Sequence, residues 1–172
     1  MTSPEGAAET AELILTPDSD SFRNVLGHFA TGVTVITAMD GDEPVGMAAN
    51  SFTSVSLDPP LVLFCAAKSS TTWPRIQAGK RFAVNILDEH QEDISRLFAA
   101  RGVDRFAQIA WRPGAGGSPV LDRVHAYIDC ETHAEYEAGD HIIVVGRVFE
   151  LGLRADAGPL LFYQGPYRRM SS

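Results

Sequence analysis

The sequence predicts a mainly β fold, a barrel or sandwich with a few short helices. Three observations predict it. β-branched or alternating apolar segments recur along the chain with turn residues between them. Helical spacing occurs only in short stretches. Strands and helices also lack the regular alternation of a parallel α/β sheet. A chain of 172 residues suits one packed domain. We assign residues 18–172 to that domain and residues 1–17 to a flexible N-terminal tail, of mixed Ala, Glu, Thr, Gly and Pro composition.

The elements follow in order. Phe22, Val25, Leu26 and Phe29 keep the i, i+3, i+4, i+7 spacing of an amphipathic helix, with Ser19 or Asp20 as N-cap. Gly32 to Ala38 is a β-branched strand, and Asp40-Gly41-Asp42 turns it into a second strand near Val45. Asn50 to Leu57 alternates. Asp58-Pro59-Pro60 then breaks the ladder, because proline has no N–H to donate. Leu61 to Ala66 is continuously apolar, the pattern of a buried strand. A short helix runs through Trp73, Ile76 and Gln77, with Pro74 in its first turn and Gly79 as its stop. Arg81 to Leu87 is a strand, and Glu89 to Ala100 a helix with Ile94, Leu97 and Phe98 inward. From Val124 to Glu135 even and odd positions alternate, which predicts one buried and one wet face. Ala138-Gly139-Asp140 turns the chain into an apolar strand from His141 to Leu151, and a last strand lies near Leu160 to Tyr163.

Composition excludes several functions. A net charge of −8 argues against nonspecific nucleic-acid binding, which needs a basic surface. No apolar run is long enough to span a bilayer, and Met1 to Glu12 lacks the features of a secretion signal. The expectation is a cytoplasmic protein with no membrane partner. Cys65 and Cys130 then read as two reduced thiols.

The stretch from Cys65 to Thr72 is the richest in chemistry. A strand end there feeds a lysine and a hydroxyl-rich turn that opens a helix, an arrangement suited to a phosphate. Plain N-capping by Thr71 or Thr72 is the competing reading. Gly46 to Asn50 is small enough for a flat ring to approach the backbone, or simply for a tight connection. His125, Cys130 and His133 do not form a metal site, because alternation separates the cysteine from the histidines. No Gly-x-Ser-x-Gly elbow occurs, and Gly114 to Gly117 follows no βα unit, so it is not a dinucleotide fingerprint. Alone, these residues reach no further than a β-rich domain with a candidate phosphate site.

Several ordered stretches resemble the flavin reductase-like family, the reductase components of two-component flavin-dependent monooxygenases. They are Phe29 to Thr37 (FATGVTVIT), Gly46 to Pro60 (GMAANSFTSVSLDPP), Phe82 to Leu87 (FAVNIL), Gly139-Asp140-His141 and Pro159 to Gly165 (PLLFYQG). The resemblance runs from about Ser21 to Arg168. It implies a split β-barrel of Greek-key type and a homodimer. It also implies hydride transfer from NADH or NADPH to FAD or FMN, with NADH and FAD favoured, and delivery of the reduced flavin to a monooxygenase. By position, Met47, Ala48, Ala49, Asn50 and Ser51 would line the flavin ring. Cys65, Ala66, Ala67, Lys68, Ser69, Ser70 and Thr71 would hold the ribityl chain and phosphate. Phe98, Ala99 and Arg105 would approach the flavin tail, with arginine standing where the family often has lysine. His141, Tyr163, Gln164, Gly165 and Pro166 would border the nicotinamide, with His141 orienting it. The cofactors carry the reaction, which fits the lack of a nucleophile or strong acid. Two alternatives are a non-catalytic flavin-binding or storage protein and another split-barrel flavoenzyme of the pyridoxine phosphate oxidase-like type.

Overall fold

The computed structural model describes residues 13–154 and 158–170. Most of the expected tail, 1–12, lies outside the described residues. In chain order the elements are α1 (Ser19–Gly27), β1 (Thr31–Gly32), β2 (Thr34–Asp40), β3 (Glu43–Ala49), β4 (Thr53–Leu57), β5 (Pro60–Ala67), α2 (Trp73–Gly79), β6 (Arg81–Ile86), α3 (Glu92–Ala99), β7 (Trp111–Pro113), β8 (Pro119–Leu121), β9 (Ala126–Ala138), β10 (His141–Leu153), β11 (Leu161–Phe162) and β12 (Tyr167–Arg168).

Seven strands form one antiparallel sheet in the order β3-β2-β6-β9-β10-β5-β4. Its two edges, β3 and β4, are consecutive in the chain, joined only by residues 50–52. A flat sheet would separate these edges by six strand spacings, roughly 29 Å. The link from Ala49 to Thr53 reaches about 15 Å at full stretch. The sheet must therefore curl until its edges meet, and β3 does come against β5. The result is a barrel with a seam, the split barrel expected.

The barrel holds one core of Ile36, Val62, Phe64, Phe82, Val84, Cys130 and Val144. Helix α2 plugs it with Trp73 and Ile76, and Phe64 meets both Trp73 and Phe82 edge-on. Burial pushes the Cys130 thiol up to about 12, so it behaves as a small apolar group. A second core lies outside the barrel wall, where Val33, Val35, Ala83 and Leu87 pack with Phe98, Val120, Leu121 and Leu160. Asn85 fastens this layer: its amide donates to Val35 O and Thr37 Oγ1, and its oxygen accepts from Leu121 N.

Four local expectations need correction. The N-cap of α1 is Asp18, whose Oδ1 accepts from Asp20 N and Ser21 N, so Ser19 is already helical. Gly79 closes α2 rather than following it, and Lys80 takes the left-handed conformation (φ 54°). Glycine is needed at 79 for another reason: a Cβ there would come within 2.9 Å of Met39 O. Strand β5 is buried on one face only, through Val62, Phe64 and Ala66, while Leu61, Leu63 and Cys65 are half-buried.

The fourth concerns the wet face of β9. Asp129 lies on it and is nonetheless fully buried, beneath the Gly114–Gly117 loop. Its Oδ2 accepts from Gly116 N at 2.7 Å, while Oδ1 has no partner among the described residues. Burial above all, with nearby Glu150 adding to it, raises the Asp129 carboxyl above the ordinary carboxylate range. An acid whose folded pKa is raised contributes stability that is complete below its unfolded pKa and lost as pH rises through the folded value. Asp129→Asn keeps an acceptor for Gly116 N and removes the charge. It is expected to melt at a higher temperature than the wild type near about pH 8, with the gain shrinking towards about pH 4. Calorimetric melts across that range check this; a variant that melts lower at every pH refutes it.

Candidate functional site

Among the described residues, the seam leaves backbone groups outside the ladders. As an edge strand, β3 bonds to β2 on one side only, and residues 50–52 belong to neither neighbouring ladder. Ser51 stands two residues before the Thr53↔Leu63 pair, opposite Cys65. Its hydroxyl accepts from Cys65 N at 2.9 Å and donates to Cys65 O at 3.3 Å, so a side chain extends the ladder and the Ser51 backbone does not. Thr34 Oγ1 donates to Ala49 O at 2.6 Å and holds the end of β3 from the other side.

A cavity of about 910 Å³ opens along this seam. Met47 to Ser51 form one wall, Cys65, Ala67 and Ser69 to Thr72 a second, and Phe98, Ala99, Arg101 to Val103 and Arg105 a third. Gly46 sets how closely the first and third approach, because a Cβ there would meet Phe98 Cε1 at 2.7 Å and Ile36 O at 3.0 Å.

The turn before α2 is capped in an unexpected way. Thr72 occupies the N-cap position but makes no side-chain capping bond. Ser70 Oγ accepts instead from Thr72 N (3.2 Å) and Trp73 N (3.1 Å). The hydroxyl-bearing residues left on the cavity wall without such a task are Ser69 and Thr71.

A second cleft, of about 1260 Å³, lies on the other side of the seam. Phe22, Leu26 and Phe29 contribute its apolar side, and Arg23, Asp140, Gln164 and Gly165 its polar side. Gln164, at φ 52°, is tied to α1: its N donates to Gly27 O at 2.9 Å, and its amide lies 2.9 Å from His28 Nδ1. The two clefts share Asn50, Ser51 and His141. His141 starts β10 opposite Ala67, and its Nδ1 lies 2.8 Å from Asp140 Oδ1. That hydrogen bond holds the Asp140 carboxyl below the ordinary range, and a carboxylate acceptor favours the tautomer with its proton on Nδ1.

Most of the sequence-derived residues meet at these clefts, with exceptions. Met47, Ala48, Ala49, Asn50, Ser51, Cys65, Ala67, Ser69, Ser70, Thr71, Phe98, Ala99, Arg105 and His141 line the first, and Gln164 and Gly165 the second. Ala66 is fully buried in the barrel core, the inward partner in the alternation of β5. Lys68 is outside the cavity lining, and its ammonium pairs with Glu137 at 3.2 Å. Tyr163 and Pro166 line neither cleft; their backbones close the turn that presents Gln164. Sequence reasoning missed Thr72, Arg101 and Val103 in the first cleft and the apolar face of α1 in the second. The α1 face is visible in the sequence as a periodic apolar stripe, which marks an amphipathic helix but not what its apolar side meets.

Comparison with known proteins agrees with this architecture. Residues 26–171 match the family described as "Flavin reductase like domain". The reductase subunit HsaB of a flavin-dependent monooxygenase from Mycobacterium tuberculosis is 48% identical over 152 residues, covering 87% of this chain and 81% of that protein. FMN reductase (NADH) SmoA from Agrobacterium fabrum is 41% identical over 174 residues, 99% of each chain. Among solved structures, the NADH:FAD oxidoreductase SgcE6 of Streptomyces globisporus superposes with a TM-score of 0.88 at 42% identity, over 95% of this chain and 100% of that one. By family match, identity and fold together, the chain belongs to the flavin reductase-like domain family.

Proposed function

We propose that this chain is an NADH-dependent flavin reductase that reduces FAD or FMN and supplies the reduced flavin to a separate monooxygenase. The observation that carries the reading is the pair of clefts meeting at Asn50, Ser51 and His141, which would let the rings of two ligands meet there. Relatives named for NADH with FMN, for NADH with FAD, and as a monooxygenase reductase subunit support the cofactors and the partner.

The first cleft fits a flavin in its chemistry. Small side chains at Ala48 and Ala49 admit a flat ring, and unpaired seam N–H groups suit its polar edge. Ser69 and Thr71 supply hydroxyl donors for a phosphate, and Arg101 extends positive charge beyond them, which favours FAD over FMN. Bound there, a flavin and a reduced nicotinamide would supply the redox chemistry, hydride transfer between the two. The protein's part is to hold, orient and shield. Seam N–H groups at residues 50–51 are suited to stabilising negative charge that develops on the reduced ring. His141, held by Asp140, offers Nε2 to the nicotinamide and needs to transfer no proton.

A second copy of the chain completes the site in this reading. Helix α1 is amphipathic yet has no buried residue, and Phe22, Val25, Leu26 and Phe29 are each more than half exposed beside the second cleft. A homodimer would cover them. Cys65 and Cys130 are unpaired, which accords with the reducing cytoplasm.

The purified protein, mixed with NADH and a large excess of FAD or FMN, is expected to oxidise NADH over many turnovers, followed at the nicotinamide absorbance. Stoichiometric flavin binding without NADH oxidation would establish a storage protein instead. His141→Ala is expected to raise the KM for NADH by about tenfold with a smaller change in kcat, since it removes a binding hydrogen bond; a fall in kcat alone indicates a chemical role. Thr71→Ala should raise the Kd for FMN by about fivefold. Lys68→Ala should leave it nearly unchanged because that ammonium is engaged by Glu137. Fluorescence titration of FMN separates the two variants.

A further inference from the structure

We propose that Arg105 is a positioning residue for flavin binding: it fastens together the three separate walls of the flavin cleft and is not a ligand of the flavin phosphate. The inference rests on the reading of that cleft as a flavin site and adds to it how the site is held open in the right shape.

Each arm of the guanidinium already has protein acceptors. Nη1 donates to Gly46 O at 2.9 Å and to Thr72 Oγ1 at 3.0 Å, and Nη2 donates to Ala100 O. Nε is closed off from solvent and has no partner among the described residues, so a molecule in the open cleft does not reach it. The three acceptors belong to three different segments. Gly46 immediately precedes Met47 in the seam strand. Thr72 ends the hydroxyl turn. Ala100 caps α3 immediately after Phe98 and Ala99. These three segments are the three walls of the cavity.

The geometry explains two otherwise unrelated features. Thr72 fails to cap its own helix because its hydroxyl faces Arg105, and Ser70 takes over the capping. Gly46 carries no side chain because Phe98 Cε1 occupies the place of a Cβ, and the adjoining carbonyl is the one that Arg105 holds. Arg105 is itself aimed by a local turn, in which Asp104 Oδ1 accepts from Phe106 N and Ala107 N. All three acceptors are neutral oxygens, no carboxylate pairs with Arg105 among the described residues, and burial lowers its pKa. A planar fork with five donors can serve three acceptors in divergent directions. A lysine ammonium keeps the charge but not that geometry.

The test compares riboflavin, which has no phosphate, with FMN. In the full-length protein, Arg105→Lys should raise the Kd of both by the same factor, about tenfold, as expected when a site's walls shift by a fraction of an ångström. The ratio of the two constants should stay at its wild-type value. If FMN alone weakens and the ratio collapses, Arg105 is a phosphate ligand and the proposal fails. If the melting temperature drops while both constants hold, Arg105 is merely structural and the proposal fails equally. Should Arg105→Lys not fold, Asp104→Ala leaves the arginine in place and loosens only the turn that aims it. It should weaken riboflavin and FMN equally, by a smaller factor, and a selective loss of FMN affinity overturns the proposal here too. A wild-type protein that binds neither flavin would instead refute the flavin site itself.

Discussion

A link of three residues between the two edges of a seven-stranded sheet governs this molecule. Because residues 50–52 cannot span a flat sheet, the strands must curl, and β3 and β4 meet without pairing into a continuous ladder. A seam results, rimmed by unpaired backbone. Elsewhere in a folded domain such groups are a liability, inviting water or another strand. Here Ser51 and Thr34 satisfy part of the rim with side-chain hydroxyls, and the remainder faces a cavity large enough for a ring system. The barrel closure and the binding site are consequences of the same connection.

The seam also bears on the proposed chemistry. Both clefts open from it, one on each side, and His141 enters from the start of β10 to complete the wall they share. Where two ligands carry the redox chemistry between them, the protein contributes mutual orientation and exclusion of water, and rigidity matters more than reactivity. The rigidity has identifiable sources: the plug of Trp73 and Ile76 inside, the Asn85 network outside, and Asp140 holding His141.

Much of this was legible in the sequence because it depends on local pattern. The Asp40-Gly41-Asp42 hairpin, the hydroxyl turn and the strand from His141 follow from φ preferences, N–H accounting and period-two alternation. The misreadings share one cause: each depends on what a distant segment does. Asp129 has the sequence signature of a solvent-facing acid and becomes buried only because a glycine loop from the preceding hairpin folds over it. Lys68 looks like an unengaged cation until β9 brings Glu137 beside it. Gly79 resembles a helix stop, although the constraint on it comes from the carbonyl of Met39. Arg101 and Thr72 gain their place in the cleft only once α3 and β3 are packed together at Gly46.

The separation of core from site has a consequence for how the protein tolerates change. Phe64, Phe82 and Trp73 in the barrel interior line neither cleft, so truncations there act on stability first. Residues at the seam are the reverse case. Ala48, Ala49 and Asn50 are only half-buried or exposed, and their substitution removes little apolar burial while changing the surface a ligand meets. Gly46 belongs to neither group, because there the outer core, through Phe98, presses so closely on the seam strand that no Cβ fits. A side chain at 46 would displace Phe98 and the wall behind it together. Stability and binding are therefore coupled where core and cleft meet, at Phe98 and most tightly at the glycine it presses on.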